Sequence, residues 1–151
     1  MMTHDGRQET HDRPHPQNGR QSPVSGPPTY EFQSLQVYQL ALAYLDRVYE
    51  IAYTLPAVEK FNLRSKMERA ATSVVLNIAE GSTGQSDPEQ SRFIAMALRS
   101  LLETVACLDI AERRGYASAM DLQPLRDSGH QLFVKLSALR RSLNGPKTED
   151  R

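Results

Sequence analysis

Six polar residues stand where the surrounding pattern is apolar: Arg69, Ser73, Asn77 and Glu80 in one stretch, Arg99 and Glu103 in the next. In the first stretch Leu63, Met67, Ala70, Val74 and Ile78 recur at spacings of four and three and share one helix face. A second stripe, Arg69, Ser73, Leu76 and Glu80, runs beside it. A polar group caught in so wide an apolar face is costly unless it is hydrogen-bonded. Two chemistries fit these residue types. One is an ion-pair network that fixes register, Arg69 with Glu103 and Glu80 with Arg99, since antiparallel packing sets each pair at a matching height. The other is a ligand site at Asn77 and Glu80.

A second set is basic. Arg64 and Lys66 lie at the start of one predicted helix, and Arg113 and Arg114 at the end of the next. In an up-down arrangement these four share one pole, while Arg140 and Arg141 lie at the other. Cations near a helix C-terminus complement its dipole, which accounts for Arg113, Arg114, Arg140 and Arg141 without a ligand. Arg64 and Lys66 sit near an N-terminus, where cations are disfavoured, and are better suited to contact phosphate. The four that share a pole, Arg64, Lys66, Arg113 and Arg114, are the candidate nucleic-acid contacts, with Arg64 and Lys66 the better two.

Other chemistry lacks its parts. The predicted folded region holds a single histidine, His130, and Cys107 lies on a seam of small residues, where a free cysteine packs as a small hydrophobe. No Glu-x-x-His pair supplies di-iron ligands, and no Gly-Lys-Ser/Thr follows Gly81 and Gly84. His4, His11 and His15 match no metal-ligand spacing. The expectation is a non-enzymatic protein without cofactor or metal.

Four helical segments position these residues. Residues 1–29 contain five of the nine prolines and almost nothing to bury, and read as a disordered tail. From Tyr30 two seams run together: Leu35, Tyr38, Leu42, Leu45, Tyr49 and Ala52, and Val37, Ala41, Tyr44, Val48, Ile51 and Leu55. Such a face can touch two helices, or one helix and another subunit. Pro56 ends this helix. Asn62 is placed to cap the second, and Gly81 to stop it in a left-handed conformation. Asp87-Pro88-Glu89-Gln90 opens the third, with Asp87 as cap. Ile94, Leu98, Leu101, Val105 and Leu108 form one of its seams; Phe93, Ala97, Ser100, Thr104, Cys107 and Ala111 form the other. Gly115 ends it. The fourth opens at Ser118 or Asp121, with Pro124 favouring the later start, and keeps Leu122, Leu125, Gly129, Leu132, Leu136, Leu139 and Leu143 on one seam. Short loops make sequential helices antiparallel. The fold class is all-α: an antiparallel up-down-up-down four-helix bundle over residues 30–145, with a short charged tail at 146–151.

Bulk charge bounds the function. Lys plus Arg is 18 and Asp plus Glu is 18, so the net charge is zero, whereas nucleic-acid binders are usually basic. Phosphate recognition would have to come from a local patch. One cysteine excludes an intramolecular disulfide. No apolar run reaches membrane-span length and no signal core opens the chain, so a cytoplasmic protein is expected.

Four segments carry a resemblance: F-x-x-L-x-V-Y-x-x-A at Phe32–Ala41, L-P-x-x-E-K-F-x-L at Leu55–Leu63, R-A-x-x-S-V-x-x-N-I-A-E-G at Arg69–Gly81 and R-F-I-x-x-A-x-x-S-L-x-E at Arg92–Glu103. Over residues 30 to 143 the chain resembles the bacterial four-helix-bundle proteins first noticed as reading frames in intervening sequences of the 23S rRNA gene. The resemblance implies the same bundle. It also implies a homopentameric ring, because the related accessory variability proteins of diversity-generating retroelements form such rings and bind nucleic acid and a reverse transcriptase. The expected function is an oligomeric scaffold that engages RNA or DNA, or a protein that handles it. The alternative is a purely protein-binding adaptor.

Overall fold

The computed structural model of the chain describes residues 30–84 and 86–145. The expectations for residues 1–29 and 146–151 lie outside them. Five α-helices carry the described residues: α1 (Glu31–Ser34), α2 (Gln36–Thr54), α3 (Leu63–Gly81), α4 (Asp87–Arg113) and α5 (Ala119–Asn144), with a single 3-10 turn at Ala57–Glu59. Among the described residues there is no strand. Helices α2 to α5 form the four-helix bundle. Each packs on its sequence neighbours, and α2 meets α5 to close the ring. Cross-contacts fix the antiparallel sense. Between α2 and α3, Tyr49 meets Thr72 while the later Tyr53 meets the earlier Arg64; between α3 and α4, Ser73 meets Ser100 while the later Gly81 meets the earlier Phe93; Asp109 meets Arg126 between α4 and α5.

Helices α2 and α5 each give the core one stripe: Val37, Ala41, Tyr44, Val48 and Ala52 from α2, and Leu122, Leu125, Leu132 and Leu136 from α5. Helix α4 buries residues from both of its seams, Ile94, Leu101 and Leu108 beside Ala97, Thr104, Cys107 and Ala111. Small residues bring helices close. A Cβ on Gly129 would stand 2.9 Å from the Tyr44 ring, and one on Gly81 would stand 2.9 Å from Phe93 Cβ.

Several local expectations are corrected. The first predicted helix is broken at Leu35, whose φ of −65° and ψ of 131° are extended, leaving α1 as one turn. The two seams of α2 are not equivalent. The Val37–Leu55 seam is core except for half-buried Ile51, whereas Leu35 to Leu45 of the other are half-buried and Tyr49 is exposed. Gly81 lies inside α3 and makes room for Phe93; left-handed backbone occurs instead at Gly84 and Gly115. Asp87 is the first residue of α4 and not its cap, a position held by Ser86. Ser118 opens α5, its Oγ accepting from Asp121 N at 3.0 Å, and Pro124 is inside the helix. Pro124 is exposed and only two turns in, where water reaches the carbonyl its ring leaves unpaired.

Candidate functional site

Asn62 stands at the start of α3 but its side chain caps nothing. Glu59 does the work from the preceding turn. Its Oε2 accepts from Leu63 N at 3.2 Å and from Asn62 Nδ2 at 3.1 Å, and its Oε1 accepts from Tyr116 Oη at 3.2 Å. The Leu63 N–H bond, aided by Asn62 and Tyr116, holds the Glu59 carboxyl below the usual glutamate range. Tyr116 is held by the end of α4: Gly115 N bonds to Glu112 O and Tyr116 N to Ala111 O, with Gly115 at φ 74°. That is the paired closure of a glycine-terminated helix. The loop ends of α3 and α4 are thus locked together at one pole.

The four candidate cations all lie at this pole, but they face two ways. Lys66 and Arg114 share a niche of about 270 Å³ with Glu59, Cys107 and Ile110. Arg113 is exposed beside it. Arg64 is two residues, and so more than half a turn, from Lys66. It faces the opposite side, with Nε 2.8 Å from Glu68 Oε1 and its guanidinium 5.3 Å from the Tyr53 ring centroid. The structure therefore brings Lys66 and Arg114 together, leaves Arg113 exposed at the end of α4 outside their niche, and turns Arg64 away. Cys107 is buried, and burial pushes its thiol up, with the Glu103 carboxylate adding to the shift and Lys66 opposing it. That suits a packed side chain and not a nucleophile.

The second site lies along the outside of α3. A furrow of about 660 Å³ runs from Phe61 to Glu80, with Tyr49 of α2 on one bank. Its floor mixes polar and apolar side chains. Asn77 Nδ2 donates to Ser73 O at 2.8 Å and Ser73 Oγ at 3.0 Å, and Ser100 Oγ donates to Ser73 Oγ at 2.8 Å. Tyr49 Oη lies 3.3 Å from Thr72 Oγ1. Large apolar groups stand in the open: Phe61 is 89% exposed, Tyr53 76% and Leu76 58%.

Of the predicted polar network, Ser73, Asn77 and the unforeseen Ser100 are joined. The ion pairs are not. Arg69, Glu80, Arg99 and Glu103 are all exposed, and among the described residues no salt bridge links Arg69 to Glu103 or Glu80 to Arg99. The Ser73–Ser100 and Gly81–Phe93 contacts set the register of α3 on α4: Arg69 and Glu103 do share a height, whereas Glu80 stands level with Phe93, more than a turn from Arg99. Direction around the axis separates both pairs: these four side chains lie on the outer surface, where no helix of the same chain covers them.

Glu59 and Tyr116 were missed by sequence reasoning. The available signal was a glutamate four residues before a helix's first N–H, which spans one turn. Among the described residues no group of three or more His, Cys, Asp or Glu is placed to hold a metal, and no helix is long and apolar enough to cross a membrane.

A protein-family model described as 23S rRNA-intervening sequence protein matches residues 33–138. The chain belongs to that family. The matched span runs from α1 to most of α5, and so takes in the pole, the furrow and every element that builds them. A solved structure from Bacteroides thetaiotaomicron VPI-5482, described as a protein with unknown function from the S23 ribosomal protein family, is similar in fold. Its TM-score is 0.65 and its identity 21%, covering 70% of this chain and 98% of that one. At that identity the likeness speaks for the fold. No curated protein matches the chain.

Proposed function

We propose that this family member is a non-enzymatic, homo-oligomeric scaffold, a ring of five, that engages RNA or DNA or a protein handling it, such as a reverse transcriptase. The observation that carries the reading is the uncovered furrow on α3. Leu76 is exposed beside hydrogen-bonded Ser73 and Asn77, and exposed Phe61 lines the far end of the same furrow; an apolar patch rimmed by polar groups suits a protein interface. A second copy of the chain is the simplest occupant, and exposed Arg69 and Glu80 then gain charged partners across the contact.

Assembly also supplies what the neutral chain lacks. One copy offers Lys66 and Arg114 beside the Glu59 carboxylate, with exposed Arg113 at the same pole. A ring repeats that set about an axis, so phosphate contacts add through counterion release. Where six to ten of those cations meet phosphates, affinity falls about 10³- to 10⁵-fold between roughly 50 and 200 mM salt.

The test is titration of labelled RNA and duplex DNA at two salt concentrations, with the wild type and a Lys66→Ala, Arg113→Ala double variant. The reading expects steep salt dependence that the double variant flattens while keeping its assembled mass. Absence of binding at low salt with the assembly intact would leave the protein-binding adaptor as the better account.

A further inference from the structure

Between α4 and α5, away from both the pole and the furrow, a cleft of about 260 Å³ opens onto the core. Its walls are apolar: Leu102, Val105 and Leu108 from α4, and Phe133 from α5. Its floor is the Tyr44 ring, which is buried. The floor is reached because residue 129 is glycine. Any Cβ there would fall 2.9 Å from Tyr44 Cε2, so glycine, a poor helix former, lets the ring lie against the α5 backbone. One helical turn links Arg126 to His130, and both line the cleft.

The polar atoms set which way a ligand would lie. Thr104 Oγ1 donates its proton to Leu101 O. The 2.6 Å contact between Tyr44 Oη and Thr104 Oγ1 must then have Tyr44 as donor. Tyr44 Oη is left able only to accept, so the floor repels an anion. The other end of the cleft is different. Arg126 Nη2 lies 2.9 Å from Asp109 Oδ1, and Asp109 is two-thirds exposed. Among the described residues Asp109 is the partner found for this guanidinium, and it takes Nη2 alone. A guanidinium with a free edge is built for a planar carboxylate.

We propose that this cleft binds a small monocarboxylate with an aromatic or branched aliphatic body. The acid group sits on Arg126 beside His130, and the apolar end rests on Tyr44 among Val105, Leu108 and Phe133. The volume sets the size. A dry cavity of about 150 Å³ accepts benzene, so about 260 Å³ takes one ring and a short acid chain. The site owes nothing to the furrow or the basic pole, and it would stand if the scaffold reading fell.

The test uses the full chain, 3-phenylpropionate and the neutral 3-phenylpropionamide, followed by calorimetry and by amide shifts in nuclear magnetic resonance. The acid should bind with a Kd of about a millimolar or tighter, and at least about tenfold more tightly than the amide. Arg126→Met keeps the apolar stem, so it should bring the acid down to the amide's affinity and leave the amide unchanged. Val105→Phe fills the cleft and should abolish both, with helicity retained in circular dichroism. Should Val105→Phe fail to fold, Arg126→Met on the rim still decides. No saturable binding up to about 10 mM, equal affinity for acid and amide, or wild-type acid binding by Arg126→Met would each overturn the proposal.

Discussion

Tyr44 Oη lies 2.6 Å from Thr104 Oγ1 in the middle of the core, a contact between two helices sixty residues apart in the chain. It joins α2 to α4 across the diagonal of the bundle, where each helix otherwise meets its neighbours. Burial pushes the Tyr44 hydroxyl above the ordinary tyrosine range, so it stays a neutral donor. Thr104→Val removes its acceptor and strands a buried O–H, at about 1–3 kcal/mol. Tyr44→Phe leaves Thr104 bonded to Leu101 O and should cost about 1 kcal/mol. Urea denaturation should show the double variant well short of the sum of the singles.

Glu59 gives the fold a pH dependence of known sign. Its carboxyl is held below the ordinary value, so between the folded and unfolded pKa values the unfolded chain binds more protons. Stability from this cap is therefore complete above the unfolded glutamate value of about 4.3 and is lost as pH falls through the lower folded value. Glu59→Gln should be less stable than wild type at neutral pH, and the gap should narrow in that acid window. Denaturant midpoints taken across the acid range check it; a gap independent of pH would remove Glu59 as the cap.

Two glycines are required for different reasons, and their alanine variants should differ accordingly. Gly81→Ala puts a methyl 2.9 Å from Phe93 Cβ, between two helix backbones that have little room to part, and should cost about 1–3 kcal/mol. Gly115→Ala meets nothing within 4 Å. Its cost, about 1–2 kcal/mol, comes from a φ of 74° alone. Gly115→Asn should recover part of the loss while Gly81→Asn should not, because asparagine tolerates left-handed backbone but adds bulk.

These cases mark what could be read from the residues. The bundle was legible because Leu122, Leu125, Leu132 and Leu136 keep a three-four repeat that only a buried stripe requires, and all four are buried. Gly115 was legible because a helix stop is a local event. Gly81 looked like the same event, yet it answers a contact with Phe93, twelve residues on, that no local pattern encodes. The break at Leu35 carries no proline or glycine to announce it. The basic pole was legible from loop lengths, since topology alone fixes which helix ends coincide. Its division, Arg64 against Glu68 and Lys66 beside Cys107, depends on rotation about the α3 axis, and a seam shared between core and surface does not fix that angle.

Leu76 isolates the surface of α3 from its core. It is 58% exposed in the single chain, so Leu76→Glu should change the chain's own stability by no more than about 0.5 kcal/mol. In an assembly that closes over the furrow, the same change buries a charge and should disperse the copies. Thermal melts and mass measured on one preparation separate the two effects; a large loss of helicity without any change of mass would contradict the assignment of this face.

Light scattering coupled to size exclusion, at micromolar concentration, tests the scaffold most directly. The account predicts a mass of five chains of 17.0 kDa for the wild type and a smaller mass for Leu76→Glu. A wild-type mass of one 17.0 kDa chain would contradict it.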